Sequence, residues 1–472
     1  MKAARPAAAV AADGAGEAAA PARFNAPWLG ARLRSLVGPL RGRRLCVAYS
    51  GGLDSGALLA ALAALRAREH FVLRALHVNH RLQPQSARWA QAARLRARRL
   101  RVPCAVITLT IGRGRGESLE AAAREARYSA LTAQLARDEL LLTAHHQEDQ
   151  LETVLLALLR GSGVRGLAAM NAVTPWAHTL LLRPLLPVTR AQLEHYARAR
   201  ALGWSEDPSN ADERFDRNYL RRAVLPLIRQ RWPAAAATVS RSAQHLSEAR
   251  ALLEQMAIAA LHAARDGASL RASALRRLPL PQRRNALRQW IVERGLKLPD
   301  QRRLREICGP LLAARADALP TVSWRGGRLC RYADRLFAFA GPAASAPTGA
   351  GQWDWRAQPW LPLNGGGALG LVRDRHGDVR LSALPRLLSV RRRRGGERLQ
   401  GAQGRTALKD LLQAQALAPW ERAAVPLIMH AGRIIAVADL WLDRSYGSGD
   451  APAADRARFR WRRTEAKYDE YD

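Results

Sequence analysis

Arg44-Leu45-Cys46-Val47-Ala48-Tyr49, running straight into Ser50-Gly51-Gly52-Leu53-Asp54-Ser55, is the stretch on which the fold turns. The first six residues read as a short buried strand and the glycines as a tight turn. The Ala/Leu-rich Ser55–Arg66 then reads as a helix. The pattern recurs: Phe71–Asn79, Pro103–Leu109 and Glu139–Ala144 read as further strands, with helices over Ser86–Leu100 and Ser118–Arg137 between them. Strands alternating with helices of this length predict an α/β domain over 43–230, built on a parallel sheet covered on both faces. In such sheets ligands bind where strands end and loops gather.

The turn itself carries chemistry. Gly51 and Gly52 let backbone N–H groups approach an anion with no Cβ in the way, and Ser50 and Ser55 add hydroxyl donors. The helix that follows contributes its positive N-terminal end. Asp54 would repel bare phosphate, so it makes most sense with Mg2+ bridging its carboxylate and phosphate oxygens. No lysine follows the glycines, which disfavours γ-phosphate transfer by a GxxxxGK[ST] loop.

Beyond about residue 230 the strand–helix rhythm stops. A long helix over Ala234–Ala264, helices over Leu280–Arg294 and Asp300–Ala314, and β-like Thr321–Phe339 predict a mainly helical middle domain over 231–345. Residues 346–383, entered through the Gly/Ala/Pro/Ser-rich Gly341–Gly351, read as a linker. The strand candidates Val425–Met429 and Arg433–Leu440 predict a small α+β C-terminal domain over 384–465. Residues 1–42 read as a disordered Ala-rich extension, its acidic Asp13 and Glu17 arguing against a transit peptide. No run approaches the roughly 18 apolar residues of a membrane span, so no membrane partner and a cytoplasmic location are expected.

Seventy-five basic residues face 40 acidic ones, a formal charge of +35. A G/C-rich genome accounts for arginine in place of lysine, which stands only at Lys2, Lys297, Lys409 and Lys467; it does not account for the imbalance. A polyanionic partner does, nucleic acid ahead of an anionic membrane. The runs Arg391–Arg394, Arg221–Arg222 and Arg302–Arg305 suit phosphate-backbone contacts. Trp420 and Trp441 could stack on bases, although core packing is the more ordinary use of a tryptophan. The four cysteines form no Cys-x-x-Cys pair and read as reduced thiols in or near a core.

On a helix, His145, Asp149 and Glu152 would share one face at spacings of four and three. Such a face either binds a cation, as magnesium or an ammonium group, or is simply solvated. Arg124 and Arg127 could be ordinary intrahelical partners of Glu120.

The string Ser50–Ser55 resembles the SGGxDS signature of the PP-loop ATP pyrophosphatases. That resemblance implies cleavage between the α- and β-phosphates of ATP and transfer of AMP to a substrate oxygen. Four further strings narrow the substrate: His77–Leu82 (HVNHRL), Glu120–Tyr128 (EAAAREARY), Thr143–Thr153 (TAHHQEDQLET), and Trp204–Asn210 (WSEDPSN) ahead of Phe215–Asn218 (FDRN). In this order they resemble the tRNA(Ile)-lysidine synthases. Leu280–Arg288 with Trp324–Gly327 looks like that family's middle domain; Ala407–Leu412, Pro419–Arg422 and Ala438–Trp441 look like its C-terminal domain.

The resemblance implies ATP at Ser50, Gly51, Gly52, Leu53, Asp54 and Ser55, with Mg2+ at Asp54. Asp149 and Glu152 would help hold free L-lysine, His145 would line the same pocket, and Arg124 and Arg217 would contact ATP phosphates or the target cytidine. The implied reaction joins lysine to carbon 2 of the wobble cytidine of an isoleucine tRNA with a CAU anticodon, changing codon reading from AUG to AUA. Which of Asp54, Asp149 and Glu152 is the general base stays open, as does assembly into a homodimer. The string His77–His80 receives no catalytic role, because Asn79 neither ionises nor ligates well. The alternatives are another PP-loop enzyme, such as a tRNA sulfurtransferase or an amide-forming ligase, and a non-catalytic RNA-binding scaffold. The missing cysteine pair weighs against the sulfurtransferase, and the intact Ser50–Ser55 string against the scaffold.

Overall fold

The computed structural model describes residues 23–81, 83–109, 119–206, 208, 212–315, 318–340, 351–363, 367–401, 404–415 and 417–462. The chain forms two compact units that meet near residue 252. Most of the expected N-terminal extension, residues 1–22, the stretch 341–350, and Asp207, Ser209 and Asn210 lie outside the described residues.

The first unit runs α1 (Ala26–Val37), β1 (Arg44–Ala48), α2 (Leu53–Glu69), β2 (Val72–Asn79), α3 (Ser86–Arg99), β3 (Cys104–Thr108), α4 (Leu119–Gln134), β4 (Glu139–Leu142) and α5 (Gln147–Leu159). Then follow α6 (Val164–Leu167), β5 (Val173–Trp176), β6 (Thr179–Leu182), α7 (Arg190–Ala199), α8 (Asp216–Tyr219), a π-helical turn Leu220–Val224, α9 (Leu225–Arg231) and α10 (Ala235–Ala264), within which the division at Leu252 falls. The sheet order is β3-β2-β1-β4-β6-β5, all parallel but for the β5–β6 hairpin.

Strand β1 is buried on both faces because its residues alternate between two cores. Leu45 and Val47 join α1, α2 and α7, while Cys46 joins Tyr128, Leu131 and Leu135 of α4 and its following turn. The chain order reverses between β1 and β4, which pair from Arg44↔Glu139 to Val47↔Leu142. The turns leaving these two strands therefore open side by side at the switch point of the sheet, where such folds place their ligands.

Helix α1 corrects the expectation of a disordered extension over 1–42. Asn25 caps it, its side chain accepting from the Trp28 N–H at 2.9 Å, and Leu29 and Leu33 are fully buried against α2. Burial of two leucines is worth about 3–6 kcal/mol, and the two stand one helical turn apart in a segment whose alanines and arginines disguise the stripe.

In the second unit, β7 (Arg265–Asp266), β8 (Ser269–Arg271), β9 (Thr321–Trp324), β10 (Gly327–Tyr332) and β11 (Arg335–Phe339) form a sheet ordered β7-β8-β11-β10-β9. Helices α11 (Ala272–Arg277), α12 (Leu280–Glu293) and α13 (Gln301–Glu306) share its core around Leu287, Trp290 and Leu329. The expected linker over 346–383 is also corrected. It contributes four strands, β12 (Gly351–Asp354), β13 (Trp360–Pro362), β14 (Ala368–Arg373) and β15 (Val379–Arg380), with Trp353 and Leu369 buried. Short strands punctuated by Gly and Pro gave no alternation long enough to read. They pair with β16 (Leu387–Arg392) and with the closing strand Arg456–Arg462. Trp420 packs edge-on against Phe337 and Phe339 at 5.0 and 5.3 Å, so it serves packing rather than base stacking. Arg422 beside it donates to the Tyr332 hydroxyl at 2.6 Å. Three of the four cysteines are buried, and none is disulfide-bonded. Among the described residues no helix is long and apolar enough to cross a membrane.

Candidate active site

Local chemistry shapes the turn after β1. Gly51 sits at φ +82°, a left-handed posture that strains any side chain, and a Cβ there would press on the Ala93 methyl at 3.4 Å. The Gly51 carbonyl accepts from Ser205 N–H at 3.0 Å and from Arg96 Nη1 at 3.2 Å, while the same guanidinium reaches Ser205 Oγ at 2.9 Å. Within the turn, Ser50 Oγ lies 2.9 Å from Ser55 Oγ and accepts the Gly52 N–H at 3.3 Å. Helix α2 starts at Leu53 with Gly52 as a cap lacking a side chain, so its first-turn N–H groups stay available to an anion.

Asp54 points from that first turn toward β4. Burial raises its pKa, opposed first by His146, whose Nε2 is 3.7 Å from Asp54 Oδ2. Its other oxygen, Oδ1, is buried and accepts no hydrogen bond. A buried carboxylate oxygen with no protein donor costs free energy unless something else meets it. Beside an anion cradle, a hard divalent cation fits that oxygen, so the residues suit Mg2+.

The second turn, after β4, brings Thr143, His145 and His146. His145 is not on the helix face predicted for it: α5 begins at Gln147, and His146 is its cap. Sequence spacing assumed a helix two residues too early. His145 hydrogen-bonds through Nδ1 to Thr143 Oγ1 at 2.9 Å, and burial drives its pKa down to about 3, so the ring is neutral. Burial acts the same way on His146, but three carboxylates outweigh it and raise its pKa: Glu148 Oε2 at 3.0 Å, Asp149 Oδ2 at 3.5 Å and Asp54. Asp149 also accepts the His146 backbone N–H at 3.0 Å. Burial disfavours the Asp149 charge, yet His146, His145, Arg217 and Arg221 hold its pKa at about 2.

Asp149 and Glu152 do share a face of α5, and two guanidiniums from α8 and the π-helical turn cover it. Arg217 Nε donates to Glu152 Oε2 at 2.7 Å, and Arg221 Nη2 to Asp149 Oδ1 at 2.7 Å; Arg221 Nε also binds Glu152. Glu152 is 1% exposed, entirely behind this pair of pairs.

These turns enclose a cavity of roughly 800 Å3. Of the residues singled out from the sequence, Ser50, Gly52, Asp54, Ser55, His145 and Asp149 line it. Gly51 and Leu53 shape the turn from behind, and Glu152 and Arg217 stand one layer back. Arg124 is not brought to the wall. It is exposed on α4 with its guanidinium 5.1 Å from the centre of the Tyr128 ring, and Arg127, one turn on, lines the cavity instead. Sequence reasoning also missed Arg221 as a cavity residue, having read it in a run suited to phosphate-backbone contacts, and His146, hidden in the histidine doublet. It assigned no role to His77, Asn79 and His80, yet all three line the cavity at the end of β2. His77 Nδ1 donates to the Tyr49 carbonyl at 3.0 Å, and burial lowers its pKa, which leaves Nε2 of the neutral ring as an acceptor.

A parallel sheet whose first strand feeds a Ser–Gly–Gly turn, with an aspartate in the first turn of the helix that follows, defines the PP-loop class of ATP-binding domains. The PP-loop domain model matches residues 27–228, a model described as the TilS substrate binding domain matches 270–337, and one described as the TilS substrate C-terminal domain matches 388–461. The tRNA(Ile)-lysidine synthase of Alkalilimnicola ehrlichii is 44% identical over 89% of this chain and 94% of its own, and that of Coxiella burnetii 39% identical over 83% and 88%. The chain belongs to the tRNA(Ile)-lysidine synthase family. Among solved structures, a U34-tRNA thiolase from Methanococcus maripaludis covers 47% of this chain and 78% of its own (14% identity, TM-score 0.39). A TilS C-terminal domain covers 25% and 100% (24% identity, TM-score 0.20).

Proposed function

We propose that this cavity adenylates the 2-keto oxygen of a wobble cytidine in tRNA(Ile) and then replaces AMP with lysine. The observation that carries the reading is the partnerless, buried Asp54 Oδ1 beside the open N-terminus of α2. ATP lies with its phosphates against Ser50–Ser55. The cytidine oxygen attacks the α-phosphorus, the bond to the β-phosphate oxygen breaks, and pyrophosphate leaves. The lysine ε-amine, as the free base, attacks carbon 2; the carbon–oxygen bond breaks, AMP departs, and the proton shed by nitrogen passes to a base. Activating the keto oxygen as AMP turns a poor leaving group into a good one.

Asp54 is the residue that would hold Mg2+, which when bound would supply charge neutralisation at the triphosphate. Arg127 and Arg221 line the same space and offer fixed positive charge to the departing pyrophosphate. Asp149, with its pKa near 2, is a weak base and serves as the fixed negative charge that attracts the lysine ammonium. The partners are the CAU-anticodon tRNA and free L-lysine, in the cytoplasm. The sulfurtransferase alternative is disfavoured because no cysteine lines the cavity among the described residues.

The test is nucleoside mass spectrometry of a CAU-anticodon isoleucine tRNA incubated with ATP, magnesium, isotopically labelled lysine and the full chain. One labelled lysidine per tRNA, with one pyrophosphate released, is expected. Labelled lysine that stays out of the RNA while pyrophosphate accumulates would remove lysine from the reaction.

A further inference from the structure

A second concavity, roughly 740 Å3, lies between α3 and the edge strand β3, and nothing in the reaction above uses it. Four arginines line it, Arg81, Arg94, Arg98 and Arg101; all are exposed, and none has an ion-pair partner among the described residues. No acidic side chain lines it among those residues. Arg94 and Arg98 stand one turn apart on α3, and Arg101 follows just beyond the helix end, in the left-handed turn that leads to β3. Helix α3 holds five arginines and no aspartate or glutamate, so it forms against its own like-charge repulsion. Elsewhere the fold does neutralise arginines, as Glu69 does for Arg34 and Glu139 for Arg74. The unbalanced face is therefore a local property of α3 and not a general habit of an arginine-rich chain.

The groove is continuous with the catalytic cavity. Asn79, Arg81 and Ser86 line both. Arg81 stands at the junction with φ +52°, an unfavourable posture for a side chain, and its backbone N–H is held by Asn79 Oδ1 at 2.9 Å. A base that reacts beside Asp54 must arrive with its own strand attached. From Arg94 to Arg98 the helix rises about 6 Å, and Arg101 continues the row beyond its end, against about 3.4 Å of axial rise per phosphate along one nucleic-acid strand. That length accommodates more than one phosphate.

We infer that this groove is a phosphodiester-binding track: it holds the backbone of the single-stranded RNA next to the target cytidine and feeds that nucleotide past Arg81 into the cavity. The inference rests on the RNA-modifying reading of the cavity. Its deciding measurement is tRNA binding with no ATP present, so the two can fail separately.

The experiment compares the full chain with its Arg94→Gln/Arg98→Gln/Arg101→Gln variant and with a control, Arg41→Gln/Arg44→Gln/Arg68→Gln, which removes equal charge from the opposite end of the strands. Binding of the CAU-anticodon tRNA is measured between 50 and 300 mM salt, with no ATP present. The groove variant is expected to flatten the slope of log affinity against log salt by about 2, from three lost contacts at about 0.7 each, and to weaken binding at least tenfold at 150 mM salt. Its KM values for ATP and lysine, and its turnover at saturating tRNA, should stay at the level of the unmodified chain. The single substitutions, each flattening the slope by about 0.7, carry the same test should the triple variant fold poorly. A slope change no larger than the control's overturns the inference. So does unchanged tRNA affinity accompanied by weakened product inhibition by inorganic pyrophosphate, which would make the groove a small-anion site instead.

Discussion

Arg221→Gln tests the four-charge cluster on α5 most directly. The substitution leaves Glu152, 1% exposed, with Arg217 as its sole guanidinium partner. Stranding a buried charge completely costs about 3–5 kcal/mol. Arg217 remains, and the Arg221 side chain is 34% exposed, so about 2 kcal/mol is the appropriate scale here. In a unit of this size that corresponds to a fall in Tm of about 4–8 °C, readable by scanning calorimetry. Activity should divide by substrate. Removing a cation beside Asp149 favours another cation there, so the KM for lysine should fall roughly fivefold, about 1 kcal/mol in a partly screened site. The KM for ATP should rise by a similar factor, because Arg221 lines the cavity that takes the triphosphate. Initial rates of pyrophosphate release at saturating tRNA measure both, and Arg221→Lys should restore most of the Tm. Two outcomes refute the reasoning: an unchanged Tm, or KM values that rise together for lysine and ATP, as general loosening of the site would produce.

Asp54→Asn removes a charge whose pKa burial raises and whose Oδ1 has no protein partner. Pyrophosphate release should drop by about 10³ or more, while Tm holds or increases, and a clear loss of Tm would mean the carboxylate is structural. For pH, His145 is the informative group. Its pKa is depressed to about 3 in the folded chain, so the unfolded chain binds the extra proton first. The cost to stability is absent above about 6.5 and grows as pH falls from there toward 3. His145→Gln should therefore flatten the dependence of Tm on pH between 7 and 4.5, and identical slopes for the two proteins would exclude this origin.

What the sequence disclosed followed the range of the interactions. The strand, turn and helix around Ser50–Ser55 are set by neighbours within a dozen residues, and they stand where the residues put them. The long helix Ala235–Ala264 was legible for the same reason. Pairing of β1 with β4 spans 95 positions, from Arg44 to Glu139, and no local pattern encodes it. Arg221 shows the cost of that gap: read along the chain it is half of a basic doublet, and only folding brings it to Asp149, 72 residues away. The histidine doublet was misread because α5 begins at Gln147, two residues later than the spacing assumed, so His146 caps it and His145 stands in the turn before it. Arg124 and Arg127 exchanged places because they sit one turn apart against the same Tyr128 ring.

The seating of Trp420 against Phe337 and Phe339, reinforced by Arg422 on Tyr332, bears on how the protein can be dissected. A fragment begun at residue 351 would strip that indole of its aromatic neighbours and turn a packed face toward water. An uncovered aromatic face of that kind favours self-association. Anyone wishing to study the last hundred residues in isolation would do well to blunt the indole first, and to treat dimers of an unblunted fragment as a product of the scissors.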